Sequence, residues 1–160
     1  MCKMRKYLIL LVVALIALGG IFFYFFYRMG TNDTKALADF SVAYNKYDQS
    51  VSDYSKAVLA SNPERAHVTD DLERNADAAL VVLDTEASVR LSSLTKNDGD
   101  LMKVSLEIAN LGGEELDTLK AYRRAVADRS TEIAQLAKEF ADLTNQRQAA
   151  YSRYRELARQ

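Results

Sequence analysis

In its 160 residues the chain holds no tryptophan, one proline, one cysteine, one histidine and 6 glycines. Each scarcity excludes something. A β-sandwich or barrel needs a turn signal roughly every ten residues, and the turn-forming residues here are too few to supply one. A single cysteine closes no internal disulfide, and one histidine with a remote Cys2 makes no zinc ligand set. His67 has no serine or cysteine nucleophile near it and reads as a surface residue. The pair Gly112-Gly113 lacks the Lys-Ser/Thr that completes a phosphate loop. Setting Gly99 on the glycine of a calcium loop puts Lys96 and Leu94 where oxygen ligands belong, so Asn97-Asp98-Gly99-Asp100 reads as a turn between helices. The acidic pairs Asp70-Asp71 and Glu114-Glu115 fall at expected helix starts, where the helix dipole accounts for them. No catalytic residue, cofactor or metal is expected, and the chain does not read as an enzyme.

Charge of one sign is also missing. The net charge is -1, and a mildly acidic body offers no field to hold a phosphate backbone, so nucleic acid is not an expected partner. The balance is uneven, however. Residues 1–30 carry Lys3, Arg5, Lys6 and Arg28 and no acid.

What is present is a long apolar run, YLILLVVALIALGGIFFYFFY, from Tyr7 to Tyr27 without a charge. At about 1.5 Å per residue it spans roughly the 30 Å of a bilayer's hydrocarbon core. It is longer than a signal-peptide core, and no small-x-small cleavage site follows closely behind it. We read 7–29 as a transmembrane helix. The basic residues before the run set 1–6 in the cytoplasm and the remainder outside, in the periplasm if the cell is bacterial. Phe22, Phe23, Tyr24, Phe25, Phe26 and Tyr27 then fall at the outer interface, as an anchor in lipid or a docking surface against another transmembrane helix, a quinone or a pigment.

With 49% hydrophobic and 27% charged residues, residues 31–160 read as one all-α domain, an antiparallel helical bundle or coiled coil. Leu37, Phe40, Tyr44, Tyr47, Val51, Tyr54 and Val58 keep 3-4 spacing through a first helix over 32–60. The tyrosines are expected to pack their rings inward against Ala76 and Ala79, with hydroxyls at the bundle edge. Pro63 ends the first helix, and a second, over 63–96, opens there or, after a loop, at Thr69, striped by Leu72, Ala76, Ala79, Leu80, Leu83, Ala87, Leu91 and Leu94. A short helix over 100–111 carries Leu101, Val104, Ile108 and Leu111. Gly112-Gly113 is expected to break the chain, and a last helix over 114–158 to follow. Arg129 and Arg147 interrupt its apolar pattern.

These lengths do not match. A helix over 114–158 measures roughly 68 Å and one over 32–60 roughly 44 Å. The end of the last helix is therefore expected either to project with an uncovered face or to fold back on the bundle. Phe140, Leu143, Arg147, Tyr151, Tyr154, Arg155 and Leu157 make that face a candidate partner-binding surface, since aromatic and arginine residues anchor interfaces. The combined expectation is a non-catalytic, membrane-anchored accessory or scaffold subunit whose partners are the lipid bilayer and other membrane proteins. A ligand-sensing bundle, or a stalk that self-associates as a homo-oligomer through 119–157, is the alternative.

Overall fold

A computed structural model of the chain describes residues 33–59, 66–91, 94 and 99–159. The span expected over 7–29 and its aromatic cluster lie outside the described residues, as do residues 60–65 and 95–98. Among the described residues no helix is long and apolar enough to cross a membrane.

The described chain is all-helical. Helix α1 covers 33–59, α2 Ala66–Thr85, α3 Gly99–Ala127 and α4 Ile133–Leu157, and a single π-helical turn, Glu86–Arg90, continues α2. Their lengths are now nearly equal, at roughly 30 to 43 Å each. Neighbours run antiparallel. Tyr54 of α1 bonds Glu73 of α2; Glu115 of α3 meets Arg147 of α4; and Phe40 of α1 packs on Tyr154 of α4. The result is an up-down-up-down four-helix bundle.

The core follows the 3-4 spacing of α1: Phe40, Tyr44, Tyr47, Val51, Tyr54 and Val58 are all buried, with Leu37 packed against them. Ala76, Ala79, Leu83, Ala87 and Leu91 face them from α2 and its π turn, and Leu101, Ile108, Leu116 and Leu119 from α3. Large rings from α1 and small alanines from α2 thus share one core, so side-chain volumes balance within it.

Two expectations are corrected. The chain does not break at Gly112-Gly113; α3 runs straight through both. Gly112 is placed where a Cβ would meet the Tyr47 ring at 3.2 Å and Leu80 at 3.3 Å. Its lack of a side chain brings α1 and α3 together and is not used to turn the chain. Nor is 114–158 one helix, because the fold reverses between Ala127 and Ile133. There Arg129 adopts a left-handed conformation, with φ 54. The Ser130 N–H donates to the Ala125 carbonyl at 2.9 Å and the Arg129 N–H to that of Val126 at 3.3 Å. These are the two bonds of a Schellman cap, closed by arginine in the place usually held by glycine.

The reversal lays α4 back along α3 and α1. Leu143, Arg147, Ala150 and Tyr154 become buried. Phe140, Tyr151 and Leu157 pack against the core, and Arg155 alone of the seven candidate partner-binding residues is exposed. Of the two expectations for this face, folding back on the bundle is the one the fold meets, with Arg147 buried in it and not solvated.

Candidate functional site

Midway along the bundle, α1, α3 and α4 bring charge into the core. Arg147 retains 1% of its surface and Glu115 none. The Arg147 Nε donates to Glu115 Oε2 at 2.6 Å, and its Nη2 donates to Asp48 Oδ1 at 2.8 Å. Thr144, one turn before Arg147 on α4, donates its hydroxyl to Glu115 Oε1 at 2.6 Å. Tyr47 donates to the Gly112 carbonyl, and its oxygen lies 3.3 Å from Glu115 Oε2. One hydroxyl hydrogen cannot serve both acceptors, so the shorter contact, to Gly112, takes it.

Rings enclose the charge. The Arg147 guanidinium stands 5.2 Å from the centroids of both Tyr44 and Tyr47, in cation–π range. Tyr44 stacks on Tyr151 at 3.5 Å with planes 9° apart, and Tyr151 lies parallel to Tyr154 at 5.8 Å. Phe40 closes the group against Tyr154 at 4.6 Å. The Tyr154 hydroxyl donates to the Leu37 carbonyl at 3.0 Å. The tyrosine hydroxyls thus do not simply reach the bundle edge, since that of Tyr47 is satisfied in the interior.

The electrostatics follow from this enclosure. Burial works against the charge of Arg147, but the charge and hydrogen bond of Glu115, with Tyr44 and the Asp48 hydrogen bond, together outweigh it, so the guanidinium is held above its ordinary value. Burial pushes the Tyr44 and Tyr154 phenols up to about 12. Tyr47 is pushed higher still by burial and then by the neighbouring Glu115 charge. Arg147 Nη1 has no acceptor among the described residues. The Glu115 carboxylate is thus held in place by a guanidinium and a hydroxyl, inside a wall of rings.

A second network ties α2 to α1 and α3 nearer the other end. Tyr54 donates to Glu73 Oε2 at 2.6 Å, and Arg123 donates to the same oxygen at 2.8 Å while also pairing with Asp70 at 2.5 Å. Lys120 reaches Asp77 at 2.5 Å. Burial raises Glu73, but the Tyr54 and Arg123 hydrogen bonds and the Arg123 and Lys120 charges overcome it and leave the carboxyl below its ordinary value.

Sequence reading places Arg147 in a partner surface and Glu115 at a helix start; the structure brings the two together in the core. A signal for both was present. Arg147 falls within the series Phe140, Leu143, Arg147, Ala150, Tyr154 and Leu157 at 3-4 spacing, and Glu115 falls seven residues after Ile108 and fourteen after Leu101. Opposite charges at seam positions of two helices mark a buried pair. Tyr47 lies on the seam of α1, whereas Asp48 and Thr144 carry no such mark. Among the described residues no group of His, Cys, Asp and Glu is arranged to hold a metal ion. Comparison with protein-family models, curated proteins and solved structures finds no match for this chain.

Proposed function

We propose that the chain is a non-catalytic, membrane-anchored accessory or scaffold subunit of a larger membrane assembly. It would be held by a single span over 7–29, with its N-terminus in the cytoplasm and the bundle outside. The observation that carries this reading is how the bundle uses its interior charge. Arg147, Glu115 and Asp48 serve one another at a three-helix junction, so among the described residues the interior charge is spent on holding three helices in a fixed shape. The sequence adds the uncharged run that leads into α1 within six residues of Tyr27, with basic residues before it.

A ligand-sensing bundle is the second reading. It is favoured by an apolar groove of about 400 Å³ beside the ends of α1, α3 and α4, where Leu59, Leu119, Tyr122 and Phe140 line the walls.

The experiment is extraction of native membranes in mild detergent, followed by size separation and mass spectrometry of whatever migrates with this chain. Migration within a complex of fixed composition is the expected result. A chain that runs alone or only with itself overturns the subunit reading, and a search for apolar ligands of the groove then follows.

A further inference from the structure

The buried positions of α3 and α4 share one phase. Leu101, Ile108 and Glu115 on α3 stand in the same seven-residue series as Leu143, Ala150 and Leu157 on α4, and a second series, four residues on, holds Leu119 and Arg147. All are buried except Leu157, which packs against the core. The 3-4 spacing therefore runs unbroken from Leu101 to Leu157, straight through the reversal. A turn lets the next helix start at any rotation, whereas a single straight helix requires one continuous phase. The reversal itself, Asp128, Arg129, Ser130, Thr131 and Glu132, contains no glycine or proline, so each of its residues is compatible with a helix. It closes with Arg129 at φ 54, a left-handed conformation that disfavours any residue with a Cβ. Ser130 holds the other side, its hydroxyl accepting from the Glu132 N–H at 3.2 Å.

We propose that residues 128–132 are a hinge, across which α3 and α4 straighten into one helix so that two copies of the chain exchange α4. Every contact of α4 with the rest of the bundle is then re-made between copies. Arg147 of one copy meets Glu115 and Asp48 of the other, and Tyr154 of one meets Phe40 of the other. The surface involved is the core face of a whole helix, and its occupant is the same helix from a second copy. Register sets the two hinges side by side. The pairs that Glu115 makes with Thr144 and Arg147, and Glu107 with Arg153, are centred on about residues 130–131. Two straight helices therefore cross antiparallel about that point, with Arg129 of one copy level with Glu132 of the other, opposite in charge. The straightened helix over 99–157 is roughly 88 Å long, about twice the length of α3 in the closed bundle. Closing is unimolecular and exchange is not, so the exchanged pair gains on the single bundle as concentration rises. The inference goes beyond the subunit reading and requires nothing of the residues before α1.

The test uses the full-length chain in mild detergent on a Cys2→Ser background. One preparation carries Glu107→Cys and another Arg153→Cys, at the two ends of an exposed ion pair that joins α3 to α4. The two are mixed at high concentration, warmed into the unfolding transition, cooled and treated with a short-reach bismaleimide. A link between position 107 of one chain and position 153 of another, rising with concentration, is the expected result. A single chain carrying both substitutions is the control, since it links within itself in the closed form. Ser130→Ala with Thr131→Ala removes the hydroxyl that holds the turn and favours the straight helix, so it is expected to raise the interchain link several-fold. Arg129→Gly suits the left-handed turn and weakens the straight helix, so it is expected to lower the link several-fold. Absence of the interchain link from the parent and from the Ser130→Ala, Thr131→Ala variant, with the control linking normally, overturns the proposal. An interchain link that Arg129→Gly leaves unchanged overturns it as well, because the association then does not pass through the hinge.

Discussion

Replacing Arg147 by methionine keeps an unbranched, apolar stem and removes the charged guanidinium. Glu115 has no exposed surface, so its carboxylate is left in the core with one hydrogen bond from Thr144. Removing one partner of a buried pair costs about 3–5 kcal/mol, mostly for the ion left behind. For a bundle of this size that lowers the unfolding midpoint by about 10–20 °C. Glu115→Leu is expected to cost less, because Arg147 retains Asp48 at 2.8 Å, whose side chain is 43% exposed to water. The double variant Arg147→Met, Glu115→Leu is expected to lie within about 1 kcal/mol of the parent, since a buried pair exchanged for apolar groups of similar volume is often neutral or stabilising. The control is Arg153→Met: Arg153 pairs with Glu107 at 2.6 Å, but both side chains are well exposed, and its loss should cost under about 1 kcal/mol. Urea unfolding of the full chain in detergent, followed by circular dichroism, measures all four. Additive single costs, or a loss under about 1 kcal/mol for Arg147→Met alone, would refute the claim that the charged layer is one coupled buried unit.

Four further outcomes follow from particular residues. Gly113→Ala is expected to stabilise by about 0.5–1 kcal/mol, because a Cβ there meets nothing within 4 Å, whereas Gly112→Ala should destabilise by driving into Tyr47, and thermal melts of the two compare them directly. Arg129→Gly relieves a left-handed residue at φ 54 and is expected to raise stability by an amount on the order of 1 kcal/mol in the same melts. The Glu73 carboxyl is held below its ordinary value, so its contribution is present above the unfolded value and is lost as pH falls through the lower folded one. Acid titration of Glu73→Gln should therefore show a shallower loss of stability below the ordinary carboxylate range than the parent. Tyr44 and Tyr154 are raised to about 12, so the stability from their neutral forms is complete below the unfolded value and is lost as pH rises toward 12. Absorbance at the phenolate band should show them ionising late, together with the loss of helix, and ionisation near pH 10 in a folded chain would contradict their burial.

Much of the bundle was legible because helix periodicity is local. The seam of α1 and the stripe of α2 can be read from 3-4 spacing alone, since each apolar residue must face the core whatever its partner. The failures came where one residue type serves two physical purposes. Glycine ends helices because it tolerates positive φ, and it lets helices approach because it has no side chain; Gly112 does the second, which requires knowing that Tyr47 lies opposite. Arginine at 129 gave no stop signal at all, since its left-handed conformation is imposed by the hairpin that packs α4 onto α3. Without a visible reversal, the spacing of Leu143, Arg147 and Tyr154 cannot tell a face turned to a partner from one folded back on the bundle.

The sequence by itself therefore determined the helical class, the inward faces of the first two helices and the uncharged run at the start of the chain, because these depend on composition and on spacing along one helix. Only the tertiary structure decided where the chain turns back, which charges are buried and which apolar stripe is left outside. Those depend on what stands across the interface: Tyr47 against Gly112, Glu115 against Arg147, and nothing of this chain's described residues burying Val81.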